Sequence, residues 1–232
     1  MELYASLLAG IGTLAGAALG LAGPGRRLLA AFLGLASAVM LAVVAGELIP
    51  TALDFGGTAA AAVGLLGGVA AVAALDVRLS AVLGPSHTGY VKMGVLALLG
   101  IALHDLPEGL AIAAGFAATP RVGFLTAVMI GLHNVPEGMA TAAPLRAGGV
   151  RPARILLVNA LLSLVTPLGT YIGLFITTTA LSICLLSAAA AGAMLYVVLF
   201  GLLPRSLYEN VPASLAGALL GAVIFGGLLS FL

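Results

Sequence analysis

Long apolar stretches dominate this chain and limit what it can fold into. Each is about 20 residues long, which is the length of an α-helix that crosses the hydrocarbon core of a bilayer. Because a backbone in lipid must satisfy its own hydrogen bonds, such stretches fold as helices. The chain is therefore predicted to be an all-α polytopic membrane protein with eight transmembrane helices. The predicted spans are 3–22, 28–50, 58–75, 92–117, 121–143, 153–177, 180–203 and 212–232.

Charge is scarce throughout, and this indicates which solvent the fold faces. Only 7% of the residues are charged and 62% are hydrophobic, whereas soluble domains carry about 25% charged residues. The helix bundle is therefore expected to face lipid, with residues 1–232 forming a single transmembrane domain. The net charge of +1 provides no basic face for phosphates, so no nucleic-acid partner is expected. The one cysteine, Cys184, excludes an intrachain disulfide and a multi-thiolate zinc site, and we predict apolar packing for it.

The distribution of Lys and Arg predicts the orientation in the membrane. With eight spans, both termini lie on one side and the connections alternate between the two sides. Arg121 falls on the side of the termini, and Glu2 leads us to expect a first membrane span and not a cleaved leader. By the positive-inside rule, both termini are expected outside the cytoplasm. The basic residues predicted on the cytoplasmic side are Arg26, Arg27, Arg78, Lys92, Arg146, Arg151, Arg154 and Arg205.

Glycines recur every four residues in the first and last spans. Gly12, Gly16 and Gly20 form one row, and Gly217 and Gly221 form another. Small residues at this spacing let membrane helices approach closely without a hydrophobic drive between them. The rows predict close helix contacts within the chain, with the contact face of a homodimer as the alternative.

A polar hexapeptide, His-Asp-Leu-Pro-Glu-Gly, begins at His104 inside the fourth span. Twenty-nine residues later the fifth span repeats it as His-Asn-Val-Pro-Glu-Gly, beginning at His133. Residues four apart on a helix share a face and residues three apart lie beside them, so each copy presents its polar side chains together. The chain runs along one helix and returns along the next, so both copies are expected at a similar depth. The six side chains are His104, Asp105, Glu108, His133, Asn134 and Glu137.

Charges buried in a bilayer need compensation. One charged side chain at the bilayer centre costs about 2.5–3.5 kcal/mol even on lenient insertion scales, and three carboxylates are predicted there. A divalent cation would compensate them, and mixed imidazole, carboxylate and amide ligands suit Zn²⁺, Fe²⁺, Mn²⁺ or Co²⁺. Two alternatives stay open: the side chains satisfy one another through hydrogen bonds, or they relay protons.

A second internal repeat relates the second and seventh spans. The segment from Ser37 to Pro50 resembles the one from Ala191 to Pro204, with identical residues at a constant offset of 154. If spans 1–3 and 6–8 are copies around the central pair 4 and 5, the copies insert in opposite senses. Inverted repeats around a site in the middle of the membrane are typical of secondary transporters.

The paired His-x-x-Pro-Glu-Gly motifs and the eight spans resemble those of the ZIP (Zrt-, Irt-like) family of divalent metal transporters, most closely its prokaryotic GufA-like members. The resemblance covers the whole chain. It implies transport of Zn²⁺ or a similar ion (Fe²⁺, Mn²⁺, Co²⁺ or Cd²⁺) across a prokaryotic cytoplasmic membrane, with no organic cofactor. Asp105 and Asn134, sharing the two glutamates, are implied for a second ion. The residues implied for the first ion are His104, Glu108, His133 and Glu137.

The sequence departs from the family pattern at two positions. Thr166 stands in the sixth span where related sequences often have a glutamate before a proline, and Gly201 stands where they often have the acid of a Glu-Leu-Ile-Pro-like sequence. The second span retains that acid as Glu47, which either receives metal on its way to the centre or is a solvated helix end. We therefore expect a complete first ion site and a weakened second site. The connection before the fourth span holds only His87, so no histidine-rich metal-collecting loop is expected.

Three further side chains are predicted as lining of an ion pathway. Asn159 and Ser163 lie four residues apart in the sixth span, although interhelical hydrogen bonding is the commoner role of such residues. Met40 offers a thioether to the site, whereas its counterpart Met194 in the second repeat favours packing.

The function predicted from these features is import of the metal by alternating access, and an enzyme is not expected. No nucleotide-binding loop is present in the sequence, so ion gradients or downhill flow of the metal would drive transport. An intramembrane metal-dependent hydrolase is the first alternative, since a metal-bound water can act as a nucleophile. Two equivalent motifs on repeated helices fit a symmetric ion path better. A proton or solute transporter that uses no metal is the second alternative.

Overall fold

The computed structural model describes residues 1–22, 25–83, 89–175 and 179–229, and all regular secondary structure in them is helical. The predicted span ends at 177 and 232, and His87 with its connection, lie outside the described residues. The helices are α1 Glu2–Gly20, α2 Arg26–Val43, α3 Ile49–Leu83, α4 Gly89–Ala118, α5 Pro120–Ala147, α6 Pro152–Leu162, α7 Val165–Gly173, α8 Ala180–Tyr196, α9 Leu203–Glu209 and α10 Val211–Leu229, with π-helical segments at Val44–Leu48 and Val197–Leu202.

Five helical stretches of the described residues are long and apolar enough to cross a membrane. The longest, Arg26–Leu83, has 58 residues and is interrupted at Gly57, whose φ of 70° and ψ of 179° are not helical. Glycine adopts this positive φ without strain because it has no Cβ. The all-α class predicted from the sequence is confirmed, and these helix lengths are those of a polytopic membrane protein.

The helices pack in two groups. In the first group, α1 packs along α5, α5 along α4, and α4 along α7, while α1 also contacts α6 and α7. In the second group, α3 packs along α8 and α2 along α10. Contacts of α2 with α5 and of α4 with α8 join the groups. The motif-bearing helices α4 and α5 therefore lie in the first group at its border with the second.

The glycine rows make close contacts within the chain. Gly16 of α1 lies against the carbonyl oxygen of Val135 in α5. Gly217 of α10 lies against the carbonyl oxygen of Ala31 in α2. A Cβ at either glycine would collide with that oxygen, so no larger residue permits these approaches. The predicted contacts within the chain are confirmed for both rows.

The largest apolar core lies between the two groups, on α2, α3, α4 and α8. Met40 and Met194, which the second internal repeat relates, are both fully buried in it. Cys184 packs among alanines of α3 and α8 in a smaller cluster, which confirms its predicted packing role.

The helices are interrupted at places other than the motif prolines. Proline in a helix interior removes a backbone donor, yet α4 and α5 continue as α-helix through Pro107 and Pro136. One interruption is the turn between α6 and α7, and two more are the π-helical segments, each of which ends two residues before a proline. A π-helical turn accommodates an extra residue and is frequent at functional sites. The two segments occupy equivalent positions in the second internal repeat.

Glu209 forms a network with cations and a tyrosine at one end of the bundle. Its carboxylate accepts hydrogen bonds from Arg26 Nε at 2.9 Å and from the Tyr90 hydroxyl at 2.6 Å. Arg205 Nη2 lies 2.7 Å from Glu209 Oε1. The Arg205 guanidinium stacks on the Tyr90 ring. Glu209 is buried, whereas Arg26 extends into solvent.

A second network at the same end is centred on Asp76 of α3. Lys92 Nζ lies 2.7 Å from Asp76 Oδ1, and the Tyr196 hydroxyl donates to Asp76 Oδ2 at 3.0 Å. We call the end of the bundle that holds these two networks the charged end. Arg26 precedes Gly57 in the chain and Asp76 follows it, yet both side chains lie at the charged end. The chain therefore reverses direction at Gly57.

Candidate metal centre

The two hexapeptides meet in the interior of the first helix group. His104 and His133 lie near the middle of α4 and α5, so helical spacing places the other polar residues of each motif beside them. All six predicted side chains are buried, although an apolar environment does not favour polar or charged side chains. His104, Asp105, Asn134 and Glu137 are 0% exposed, His133 is 1% exposed and Glu108 is 4% exposed.

The nitrogen Nε2 of His104 lies among three carboxylates. It is 3.2 Å from Glu137 Oε1, 3.4 Å from Asp105 Oδ1 and 3.5 Å from Glu108 Oε1. On the neighbouring helix, His133 Nε2 shares a hydrogen bond of 2.7 Å with Glu108 Oε1. The two imidazole rings are 6.2 Å apart between centroids. The structure thus brings together five of the six predicted ligands.

Most of the polar atoms in this cluster have no hydrogen-bond partner. Buried polar groups in proteins are nearly always hydrogen-bonded, since leaving one unpaired costs free energy. No Lys or Arg in the described part of the chain forms an ion pair with these carboxylates. The atoms without a partner include His104 Nδ1 and Nε2, both carboxylate oxygens of Asp105 and of Glu137, Glu108 Oε2 and Asn134 Oδ1.

The ligand atoms have the spacing that a metal ion requires. They form two sets, His104 with His133 and Glu137, and His104 with Asp105 and Glu108, and within each set the atoms lie within 4.8 Å of one another. Bonds of about 2.0–2.2 Å in a tetrahedral zinc site place ligand atoms about 3.3 Å apart, close to the distances around His104. This grouping places Asp105 in one ligand set with His104, whereas the family resemblance implied that Asp105 and Asn134 bind a second ion.

Asn134 and Thr166 flank the cluster on either side. Asn134 Nδ2 donates to the carbonyl oxygen of Ala9 in α1 at 3.2 Å. Thr166 in α7 is fully buried, packs against Gly109 of the first motif, and its hydroxyl has no partner. The position predicted to lack an acid is therefore next to the motif.

Glu47 lies close to the centre from the second helix group. It is half-buried in the π-helical segment Val44–Leu48 and interacts electrostatically with both His133 and Glu108. Gly201, its counterpart in the second repeat, instead lines a cavity at the charged end.

The other predicted pathway residues make packing and hydrogen-bonding contacts. Asn159 Oδ1 accepts from the Thr141 hydroxyl at 2.6 Å, and its Nδ2 donates to the Ile155 carbonyl at 2.9 Å. Ser163 donates to the carbonyl of Ala160. Together with the burial of Met40 in the apolar core, these contacts favour structural roles, and the pathway roles stay predictions.

Cavities lie on both sides of the centre along α4. The cavity at the charged end has a volume of about 370 Å³ and extends from Asp76 and Lys92 to Leu96. The other, of about 190 Å³, lies between α3, α4 and α8 and is lined by Thr51 and Pro107 among others. The metal centre is therefore flanked by open space at two levels of the same helix.

Imidazole and carboxylate side chains clustered inside an apolar helical bundle are the kind of ligand set that divalent transition metal ions take. Residues 84–229 match the family model described as ZIP Zinc transporter. The chain belongs to the ZIP family, which identifies it as a divalent metal transporter and not an enzyme.

Curated relatives agree with this family assignment. The Zinc transporter ZupT of Corynebacterium glutamicum is 36% identical, with 89% of this chain and 88% of that protein covered. The Zinc transporter ZupT of Chlorobium luteolum is 35% identical over 88% of this chain and 87% of that protein. The Zinc transporter GufA of Myxococcus xanthus is 40% identical over 48% of this chain and 45% of that protein. The predicted membership of the GufA-like prokaryotic branch is confirmed.

Proposed function

We propose that this protein carries Zn²⁺ into the cytoplasm across a prokaryotic cytoplasmic membrane. Its relatives named as zinc transporters support Zn²⁺ as the substrate. Fe²⁺, Mn²⁺, Co²⁺ and Cd²⁺ are further substrates that the mixed nitrogen and oxygen ligands suit. The proposed transporter is a single transmembrane domain of eight spans, in which spans 1–3 and 6–8 form inverted repeats.

The observation that carries this proposal is the set of buried ligand atoms without partners. If the side chains satisfied one another, their oxygens would be hydrogen-bonded, yet the described structure has only the bond between His133 and Glu108. A divalent cation at His104, Glu108, His133 and Glu137 compensates the carboxylates, with Asp105 as an adjoining ligand.

The two helix groups and the two cavities support alternating access. In the proposed cycle the first group, which holds the ligands, moves relative to the second, so that the centre opens to each cavity in turn. Glu47 belongs to the second group and interacts electrostatically with His133 and Glu108 of the centre. This position suits a residue that transfers the metal ion to them. Inverted repeats around a central site are the usual basis of such a cycle.

The proposed orientation places the charged end in the cytoplasm and both termini outside. Arg26, Lys92 and Arg205 lie at the charged end, whereas Arg121 begins α5 at the opposite end. A Cys184→Ala background carrying either Arg121→Cys or Arg151→Cys tests this. A membrane-impermeant thiol reagent added to intact cells should label the cysteine at 121 and not the one at 151. The reverse pattern would overturn the orientation.

Uptake into proteoliposomes that enclose a zinc-sensitive dye tests the function. We expect the His104→Ala, Glu137→Ala double variant to lose zinc uptake, because both ligand sets lose members. The matched control is Glu2→Ala, which removes a glutamate at the start of α1, away from the centre. Wild-type uptake by the first variant would show that the centre does not carry the ion. Calorimetric titration that detects no metal binding near neutral pH would instead favour a metal-independent transporter.

A further inference from the structure

Polar contacts at the charged end join the two helix groups. Tyr90 and Lys92 lie in the first turn of α4, which belongs to the first group. The Tyr90 hydroxyl donates to Glu209 Oε1 of α9 at 2.6 Å, and Lys92 Nζ lies 2.7 Å from Asp76 Oδ1 of α3. Helix α3 belongs to the second group, and α9 packs on α2 of that group. Both contacts therefore cross from one group to the other.

Each of the two carboxylates also has a partner within the second group. Asp76 Oδ2 accepts a hydrogen bond from the Tyr196 hydroxyl of α8 at 3.0 Å. Glu209 Oε2 accepts one from Arg26 Nε of α2 at 2.9 Å, and Arg205, one turn earlier in α9, contacts Oε1. One oxygen of each acid thus binds a partner in the second group, while the other binds the first turn of α4. The acids are therefore held in the second group independently of α4.

The two contacts between the groups differ in strength. Glu209 is buried, whereas Lys92 and Asp76 are both partly exposed. A hydrogen bond to a buried charged group contributes more to stability than an accessible ion pair does. In addition, the Arg205 guanidinium stacks on the Tyr90 ring, 3.9 Å from its centre. The contact of Tyr90 is therefore expected to be the stronger of the two.

The same residues line the cavity at the charged end. Asp76, Lys92 and Arg205 are among its lining residues, and they come from α3, α4 and α9. Because the cavity lies between the groups, its width depends on the distance of α4 from α3 and α9. The six candidate metal ligands all belong to α4 and α5 of the first group. A movement of the first group relative to the second would therefore break both contacts and leave the ligand set intact.

We propose that the contacts of Tyr90 and Lys92 with the two acids form a latch, which holds the helix groups in the described arrangement and opens in each transport cycle. This inference rests on the proposed function, because alternating access requires the groups to move apart at this end. A conformational equilibrium shifts by the free energy of contacts that exist in only one arrangement. The latch contacts exist only while α4 lies against α3 and α9, whereas the contacts within the second group persist.

Distances between two spin labels on the full chain in a lipid bilayer test the latch. Arg78 of α3 and Arg151, which precedes α6, are exposed and lie in different groups. Cysteines at both positions in a Cys184→Ala chain carry the labels, and we expect one main distance. Tyr90→Phe should raise the population of a second distance at least about tenfold. Lys92→Met should raise it by at most about fivefold, because the ion pair is accessible.

Tyr196→Phe is the matched control, because it removes a tyrosine hydroxyl from Asp76 within the second group. It should leave the distances as they are without the substitution. Unchanged distances in the Tyr90→Phe, Lys92→Met variant, or an equal change in Tyr196→Phe, would overturn the latch. Calorimetric titration with Zn²⁺ shows that each variant is folded, and its affinity should stay within about twofold of wild type. A larger loss of affinity in Tyr90→Phe would assign Tyr90 to the metal site and not to a latch.

Cross-linking tests whether the latch has to open during transport. In a Cys184→Ala chain with Asp76→Cys and Lys92→Cys, a short bismaleimide joins α3 to α4 and should abolish zinc uptake into proteoliposomes. The same chain treated with N-ethylmaleimide, which modifies both cysteines without joining them, should retain uptake. Equal uptake by the two treated chains, high or low, would overturn the latch alone. Wild-type zinc uptake by His104→Ala, Glu137→Ala would instead reject the proposed function.

Discussion

The metal centre and the charged end both bury carboxylates, but they compensate them differently. At the charged end, Glu209 contacts two arginines and a tyrosine, and Asp76 contacts a lysine and a tyrosine. At the centre, three carboxylates share two histidines and most of their oxygens lack a partner. Buried charges are tolerated when paired or bound to a metal. The charged end is therefore paired within the described chain, whereas the centre is where the proposed metal ion would supply the missing positive charge.

Introducing a cationic side chain into the centre should remove this difference in charge compensation. We expect this change to have the largest effect on zinc uptake. Glu137→Lys places an ammonium group beside His104 and the remaining acids, where it takes the position of the metal. We expect zinc uptake into proteoliposomes to fall by at least about 100-fold, while the metal-free protein melts no lower than Glu137→Ala. Glu137→Gln, which only removes charge, is the control and should retain more uptake than Glu137→Lys. Uptake by Glu137→Lys near the wild-type rate would contradict the role of the centre.

Zinc should stabilise the centre and leave the charged end unaffected. At free Zn²⁺ of 100 times the dissociation constant, binding to the folded state alone adds about 2.7 kcal/mol to the free energy of unfolding. We expect this gain in wild type and in Glu209→Ala, and its reversal by a chelator. His104→Ala with Glu137→Ala should show no gain. A zinc-induced rise in the melting temperature of that variant would place the stabilising site elsewhere.

Removing the central acid of the charged end should lower stability without affecting the metal. Glu209 is 1% exposed and Arg205 is 31% exposed, so Glu209→Ala leaves Tyr90 and Arg205 without their acceptor. A lost hydrogen bond to a charged group costs about 2 kcal/mol, measurable by unfolding in detergent. Arg26→Gln, which changes a solvent-exposed partner of the same acid, should lose less. Equal zinc affinity in both variants would separate the two regions.

The smallest effect on stability is expected for the ion pair between Lys92 and Asp76 at the charged end. Lys92 and Asp76 are 35% and 22% exposed, and an accessible ion pair contributes about 0–1 kcal/mol. Lys92→Met should lower the free energy of unfolding by no more than this. The difference from wild type should shrink in 1 M salt, since salt screens exposed charges. A larger loss that does not depend on salt would indicate that Lys92 acts through packing.

The composition of the centre was predictable because it depends on local spacing. His104 and Glu108 are four residues apart, so any α-helix brings them together, and the second motif repeats the arrangement. The assignment of Asp105 was less predictable, because it depends on which way α4 faces α5. Helical spacing places Asp105 near His104, but it does not decide with which ligands of the neighbouring helix Asp105 is grouped.

The interruptions of the helices were not predictable from local sequence. Both helices continue through Pro107 and Pro136, although proline removes a backbone hydrogen bond from a helix interior. Nothing in the five residues of the π-helical segment that carries Glu47, Val-Ala-Gly-Glu-Leu, predicts a π-helix instead of an α-helix.

The single-residue reversal at Gly57 has a consequence for biosynthesis. The segments on either side have no connecting loop, so we expect them to insert into the membrane together as one helical hairpin. An epitope tag placed at this turn would separate the arms and disturb membrane insertion, whereas Gly149, which follows α5 with a positive φ and open space around it, offers a tolerant site.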